Sequence, residues 1–87
     1  MKKKEREEIF KNGYSLIDYP IDMSMDGEQE TNGSIEHVVE FNKEYYFVQV
    51  SWTGAVGRVI KIDRKLQLEA GGFIAKAIRN FEENETK

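Results

Sequence analysis

Between Ser34 and Trp52 the chain changes side-chain character at almost every residue, and this constrains its fold more than any other feature. In SIEHVVEF, residues 34–41, Ile35, His37, Val39 and Phe41 fall on one side, with Glu36, Val38 and Glu40 on the other. In YYFVQVSW, residues 45–52, Tyr46, Val48, Val50 and Trp52 alternate with Tyr45, Phe47, Gln49 and Ser51. A period of two marks a strand, because successive side chains leave opposite faces of the pleat. Asn42-Lys43-Glu44 between the two runs suits a short turn. The segments therefore read as an antiparallel pair, with Tyr46, Val48, Val50 and Trp52 on the core face.

The flanks extend this pattern. YSLIDY, Tyr14 to Tyr19, has strand composition and ends at Pro20, which cannot donate to a ladder. TGAVG, residues 53–57, is a glycine-rich turn, and RVIKID, residues 58–63, returns as a further strand. Lys65 to Ala70 suits a strand extension or the start of a helix. Lys2 to Asn12 is rich in Lys, Glu and Arg, pairs Glu7 with Lys11 at helical spacing, and meets Gly13 as a helix cap. After Gly71-Gly72, Phe73, Ile74, Ala77, Ile78 and Phe81 form one helical stripe, and Arg79 supports Glu83 one turn on.

Eighty-seven residues leave room for one core. The expectation is a single α+β domain over 1–87. A helix over 1–13 precedes an antiparallel sheet of three to four strands within 14–63, which includes a polar acidic loop at 22–34. An amphipathic helix over 72–83 packs on one sheet face.

Several chemistries are excluded by what the chain lacks. There is no cysteine, hence no disulfide, thiol catalysis or cysteine-ligated zinc, in keeping with a reducing cytoplasm. No apolar run approaches the ~20 residues that span a bilayer, and Glu5, Glu7 and Glu8 stand where a signal peptide needs an apolar segment. The reading is a cytoplasmic protein with no membrane association.

Asp22, Ser24, Asp26 and Gly27 have the spacing that opens a calcium loop. Position twelve of such a loop would be Gly33 where a bidentate carboxylate is required, and position eight would be Gln29. A solvated acidic loop without metal is expected. Gly54 and Gly57 precede a strand rather than a helix, so they set a hairpin and not a dinucleotide turn. His37 is the single histidine and reads as structural. With no carboxylate pair in an apolar setting, the chain reads as a non-enzyme without a cofactor.

The net charge of −3 conceals a segregation of charge. Residues 14–44 hold eight acids against Lys43 alone, whereas residues 45–81 hold six basic residues and two acids. Asp18, Asp22, Asp26, Glu28, Glu30, Glu36, Glu40 and Glu44 form an acidic run. Arg58, Lys61, Arg64 and Lys65 form a basic strip, readable as edge-strand protection or as a phosphate-binding surface.

KEYYFVQV, residues 43–50, resembles the aromatic strand of RNA-recognition domains at Lys43, Tyr45, Phe47 and Val48. It departs from that strand at Glu44, Tyr46 and Val50. The resemblance implies a nucleic-acid-facing sheet with Tyr45 and Phe47, and with Arg58 and Lys61 of the basic strip this gives the alternative of a small nucleic-acid-binding sheet. Small size, absent cysteine, a Lys/Glu/Ile/Asn-rich composition and concentrated acidity resemble, in style, small phage and mobile-element proteins of the anti-CRISPR type. That style implies an inhibitor.

The leading expectation is a non-enzymatic interaction module. Its acidic loop and adjoining strand, Asp18, Asp22, Asp26, Glu28, Glu30, Glu36 and Glu40, would bind a protein with a basic, nucleic-acid-binding surface. Tyr19, Tyr45, Tyr46 and Trp52 would serve as anchors. A homodimer through the exposed strand face is the remaining alternative, and the acidity near the sheet argues against nucleic acid as partner.

Overall fold

A computed structural model describes residues 2–21, 34–51 and 53–85. The order of elements is α1 (Lys3–Asn12), β1 (Tyr14–Ile21), β2 (Ser34–Phe41), β3 (Glu44–Ser51), β4 (Val56–Ile62), α2 (Arg64–Ala70) and α3 (Phe73–Glu85). The strands form one antiparallel sheet in the order β1-β2-β3-β4, each beside its sequence neighbour. This is the α+β domain expected, with four strands and a helix at each end.

The β2–β3 register follows the alternation: Val39 lies opposite Tyr46, Val38 opposite Phe47, and Phe41 opposite Glu44. The turn is Asn42-Lys43 alone, both at positive φ (52° and 66°), so Glu44 belongs to β3. Two left-handed residues give the turn a twist that matches the strands it joins. β1 does not stop at Pro20, since Pro20 pairs with Ile35 and Ile21 with Ser34. An edge strand tolerates proline because an N–H that faces away from the sheet is not needed by the ladder.

Helices cover both faces of the sheet, and the C-terminal helix takes one of them as expected. On one face Ile9 of α1 packs with Val39, Val48 and Val50, flanked by Phe10, Phe41, Tyr46, Val56 and Val59. On the other Ile78 of α3 packs with Val38, Tyr45 and Ile62, flanked by Leu16, Ile17, Phe47, Leu68, Ile74 and Phe81. Val38 and Val39, neighbours on β2, are 0% and 1% exposed, so both faces are closed at that point. Tyr45 and Phe47 therefore belong to a core.

Residues 64–70, ambiguous in sequence, are helical. The Asp63 carboxylate accepts from the Leu66 N–H at 3.2 Å, and Gly71 at φ 81° closes the helix. Gly13 ends α1 in an extended conformation (φ −79°, ψ 165°), not as a left-handed cap. Its reason is crowding: a Cβ there would collide with the Val39 side chain and the Ile9 carbonyl.

The α3 stripe is centred on Ile78, fully buried, with Ala75 buried beside it and Ile74 and Phe81 half-buried. At roughly 100° per residue Phe73 lies about 140° from Ile78, outside the stripe; it is exposed. Among the described residues no helix is long and apolar enough to cross a membrane.

Candidate functional site

The densest polar contact ties the sheet to the C-terminal helices. Tyr45, early in β3, is buried on the α3 side. Its hydroxyl donates to Glu82 Oε2 at 2.6 Å. Arg64, the first residue of α2, grips the same carboxylate with two donors, Nε to Oε2 at 2.8 Å and Nη2 to Oε1 at 2.7 Å. The Arg64 hydrogen bonds, assisted by the Tyr45 hydroxyl, outweigh partial burial and hold the Glu82 carboxyl down at about 2. Burial, then the hydrogen bond to the Glu82 carboxylate, pushes the Tyr45 phenol well above its ordinary value.

Beside this network lies a hollow of about 530 Å³ between the β2–β3 turn, the end of β4 and the start of α2. Lys43, Lys61, Arg64 and Lys65 line it, with Tyr45 and Ile62. Three of these cations came from the sequence strip. Lys43 is brought in by the turn. Arg58, the fourth member of the strip, does not line the hollow.

Among the described residues the carboxylates of the acidic run are not gathered on one surface. Glu40 accepts from the Lys43 backbone N–H at 2.9 Å and so braces the turn. Glu44 pairs with Lys61 at 3.1 Å, both side chains exposed. These two sit at the turn end of the hairpin. Asp18 lies opposite His37 and Tyr19 opposite Glu36, so Asp18 and Glu36 leave opposite faces. Asp22, Asp26, Glu28 and Glu30, the calcium-loop spacing and Trp52 lie outside the described residues. Among the described residues, no group of three or more His, Asp and Glu converges as metal ligands would.

Two aromatic assignments are corrected. Tyr45 is 4% exposed, which removes it as an interface anchor and as a base-stacking platform. Phe47 is half-buried and packs against the core cluster that holds Ile78 of α3. The RNA-recognition resemblance needs these rings open on a sheet face, and here α3 covers that face. Tyr46 is half-buried on the α1 side.

His37 has a hydroxyl partner that its sequence neighbourhood did not reveal: Ser15 Oγ lies 3.2 Å from Nδ1. The ring rests against Phe10, with centroids 4.9 Å apart. Among the described residues no carboxylate hydrogen-bonds to this ring, so the pair lacks the orienting third group of an activated nucleophile. A second hollow, about 420 Å³, lies between β1 and α3, floored by Leu16, Ile17 and Phe81 and flanked by the exposed rings of Tyr14 and Phe73.

No protein-family model matches the chain, and no curated protein or solved structure shows significant similarity to it.

Proposed function

We propose that this chain is a non-enzymatic interaction protein that offers the acidic β1–β2 hairpin to a basic surface on another protein. One observation carries the reading: residues 14–41 hold seven carboxylates and no lysine or arginine. The twelve residues 22–33, which join the paired Ile21 and Ser34, contribute four of the seven.

The nucleic-acid reading loses its parts in the fold. Tyr45 is buried, Phe47 is packed into a core, and Lys61 is paired with Glu44. Carboxylates spaced along one hairpin approximate a phosphate backbone, and complementary charge raises association rates more than raw affinity. A partner that normally binds nucleic acid would be occupied and inhibited, in the cytoplasm where a cysteine-free chain is at ease.

The test is capture of partners from lysate at ~0.1 and ~0.5 M salt, with a variant that combines Asp22→Asn, Asp26→Asn, Glu28→Gln and Glu30→Gln. A basic protein that is retained by the wild type, weakened by salt and lost with the variant supports the reading. Recovery of nucleic acid, or of this chain alone, overturns it.

A further inference from the structure

The hollow at the β2–β3 turn has an electrostatic character opposite to that of the chain as a whole. Four cations line it, from the turn, β4 and α2, against two carboxylates, Glu44 and Asp63. This excess of positive charge stands in a protein of net charge −3. The internal contacts leave much of it uncompensated. Glu44 answers Lys61, Glu82 answers Arg64, and the Asp63 carboxylate accepts from the Leu66 N–H. The side chains of Lys43 and Lys65 make no hydrogen bond or ion pair among the described residues.

Lys43 adds a second, independent observation. It occupies the last position of a two-residue turn at φ 66°, where glycine is the favoured residue and a lysine is strained. Its backbone N–H is held by Glu40 at 2.9 Å, and its side chain faces the hollow. Glycine would occupy this position with less strain than a lysine.

We propose that this hollow binds the phosphate group of a small phosphorylated molecule, with Lys43 and Lys65 as its free cations and Lys61 beside them. A phosphate monoester carries about −1.5 to −2 charges at neutral pH and would find the Lys43 and Lys65 side chains without an ion-pair partner among the described residues. A volume of about 530 Å³ leaves space for an organic group beyond the phosphate. This site is separate from the acidic hairpin, so either can fail without the other.

The experiment is an amide-NMR titration with glycerol 3-phosphate, and in parallel with inorganic phosphate, in low-salt buffer. The expected result is saturable shifts centred on Lys43, Glu44, Asp63, Arg64 and Lys65, with glycerol 3-phosphate bound more tightly than inorganic phosphate. Lys43→Gly should weaken binding about fivefold, the loss of one charge-assisted contact. The same variant should raise Tm by roughly 4 °C or more through relief of the left-handed lysine. Lys65→Gln should weaken binding comparably without the gain in Tm. Shifts that never saturate, or that spread to Lys2, Lys3 and Lys4, overturn the proposal. So does undiminished affinity in both variants.

Discussion

The hydroxyl of Tyr45 and the carboxylate of Glu82, 37 residues apart in sequence, meet at 2.6 Å and fasten the second strand of the central hairpin to the C-terminal helix. Arg64 closes the arrangement from α2, so a single carboxylate joins three elements. Tyr45 is buried in the core cluster that holds Ile78, and the network therefore sits at the edge of that core rather than on open surface.

The pH dependence of stability follows from Glu82. Its carboxyl titrates at about 2 in the fold against 4.5 when free. A lowered carboxyl stabilises the fold above the unfolded value and ceases to do so as pH falls through the folded one. The Tm advantage of the wild type over Glu82→Gln should be full above about pH 5 and should vanish towards about pH 2. The side chain of Glu82 is 35% exposed, so solvent screening keeps the effect modest. An advantage that is constant across this range would show that Glu82 is not so paired.

Tyr45→Phe removes the donor but leaves Glu82 in the grip of Arg64. Because the partner carboxylate remains satisfied, the cost should be about 1 kcal/mol in urea unfolding. The ring and its burial are retained, so the fold should be unchanged. In alkaline absorbance titration of the variant, the latest-ionising tyrosine should be missing.

Val38→Ala and Val39→Ala test the closure of both faces of the sheet. Each deletes two buried carbons from a different cluster, and each should cost about 2 kcal/mol. If only one of the two costs appreciably more than about 0.5 kcal/mol, one face is open and the three-layer arrangement is wrong.

Gly13 and Gly71 should respond to alanine for different reasons. At Gly13 the new Cβ meets Val39 and the Ile9 carbonyl, so overpacking should cost about 2–3 kcal/mol. At Gly71 nothing lies within 4 Å, and only the backbone at φ 81° objects. The cost there should be about 1 kcal/mol. Thermal denaturation of the pair reads the difference directly.

Much of the strand layout was legible because a period of two is a local property. The alternation of residues 34–41 and 45–51 placed each side chain on the correct face relative to its neighbours, and the β2–β3 register agrees with it. The stripe about Ile78 placed α3 for the same reason, although Phe73 fell outside it. Asp63, read with the strand 58–63, instead caps α2, and KLQLE has the alternation of a strand as well as the length of a short helix.

By itself, then, the sequence determined where the strands and the outer helices run, and that positive and negative charge are segregated along the chain. Tertiary structure alone decided which layer covers each face. Alternation separates two faces without saying what packs on either, and here Tyr45, Phe47 and Val38 are apolar enough to attract a helix of their own. It alone decided that Glu44 pairs with Lys61 on the neighbouring strand. It also brought Lys43 beside Lys61, Arg64 and Lys65, and Glu82 beneath Tyr45. These contacts join residues about twenty to forty positions apart, and no short-range propensity encodes them, because they form only when packing fixes the strands and helices against one another.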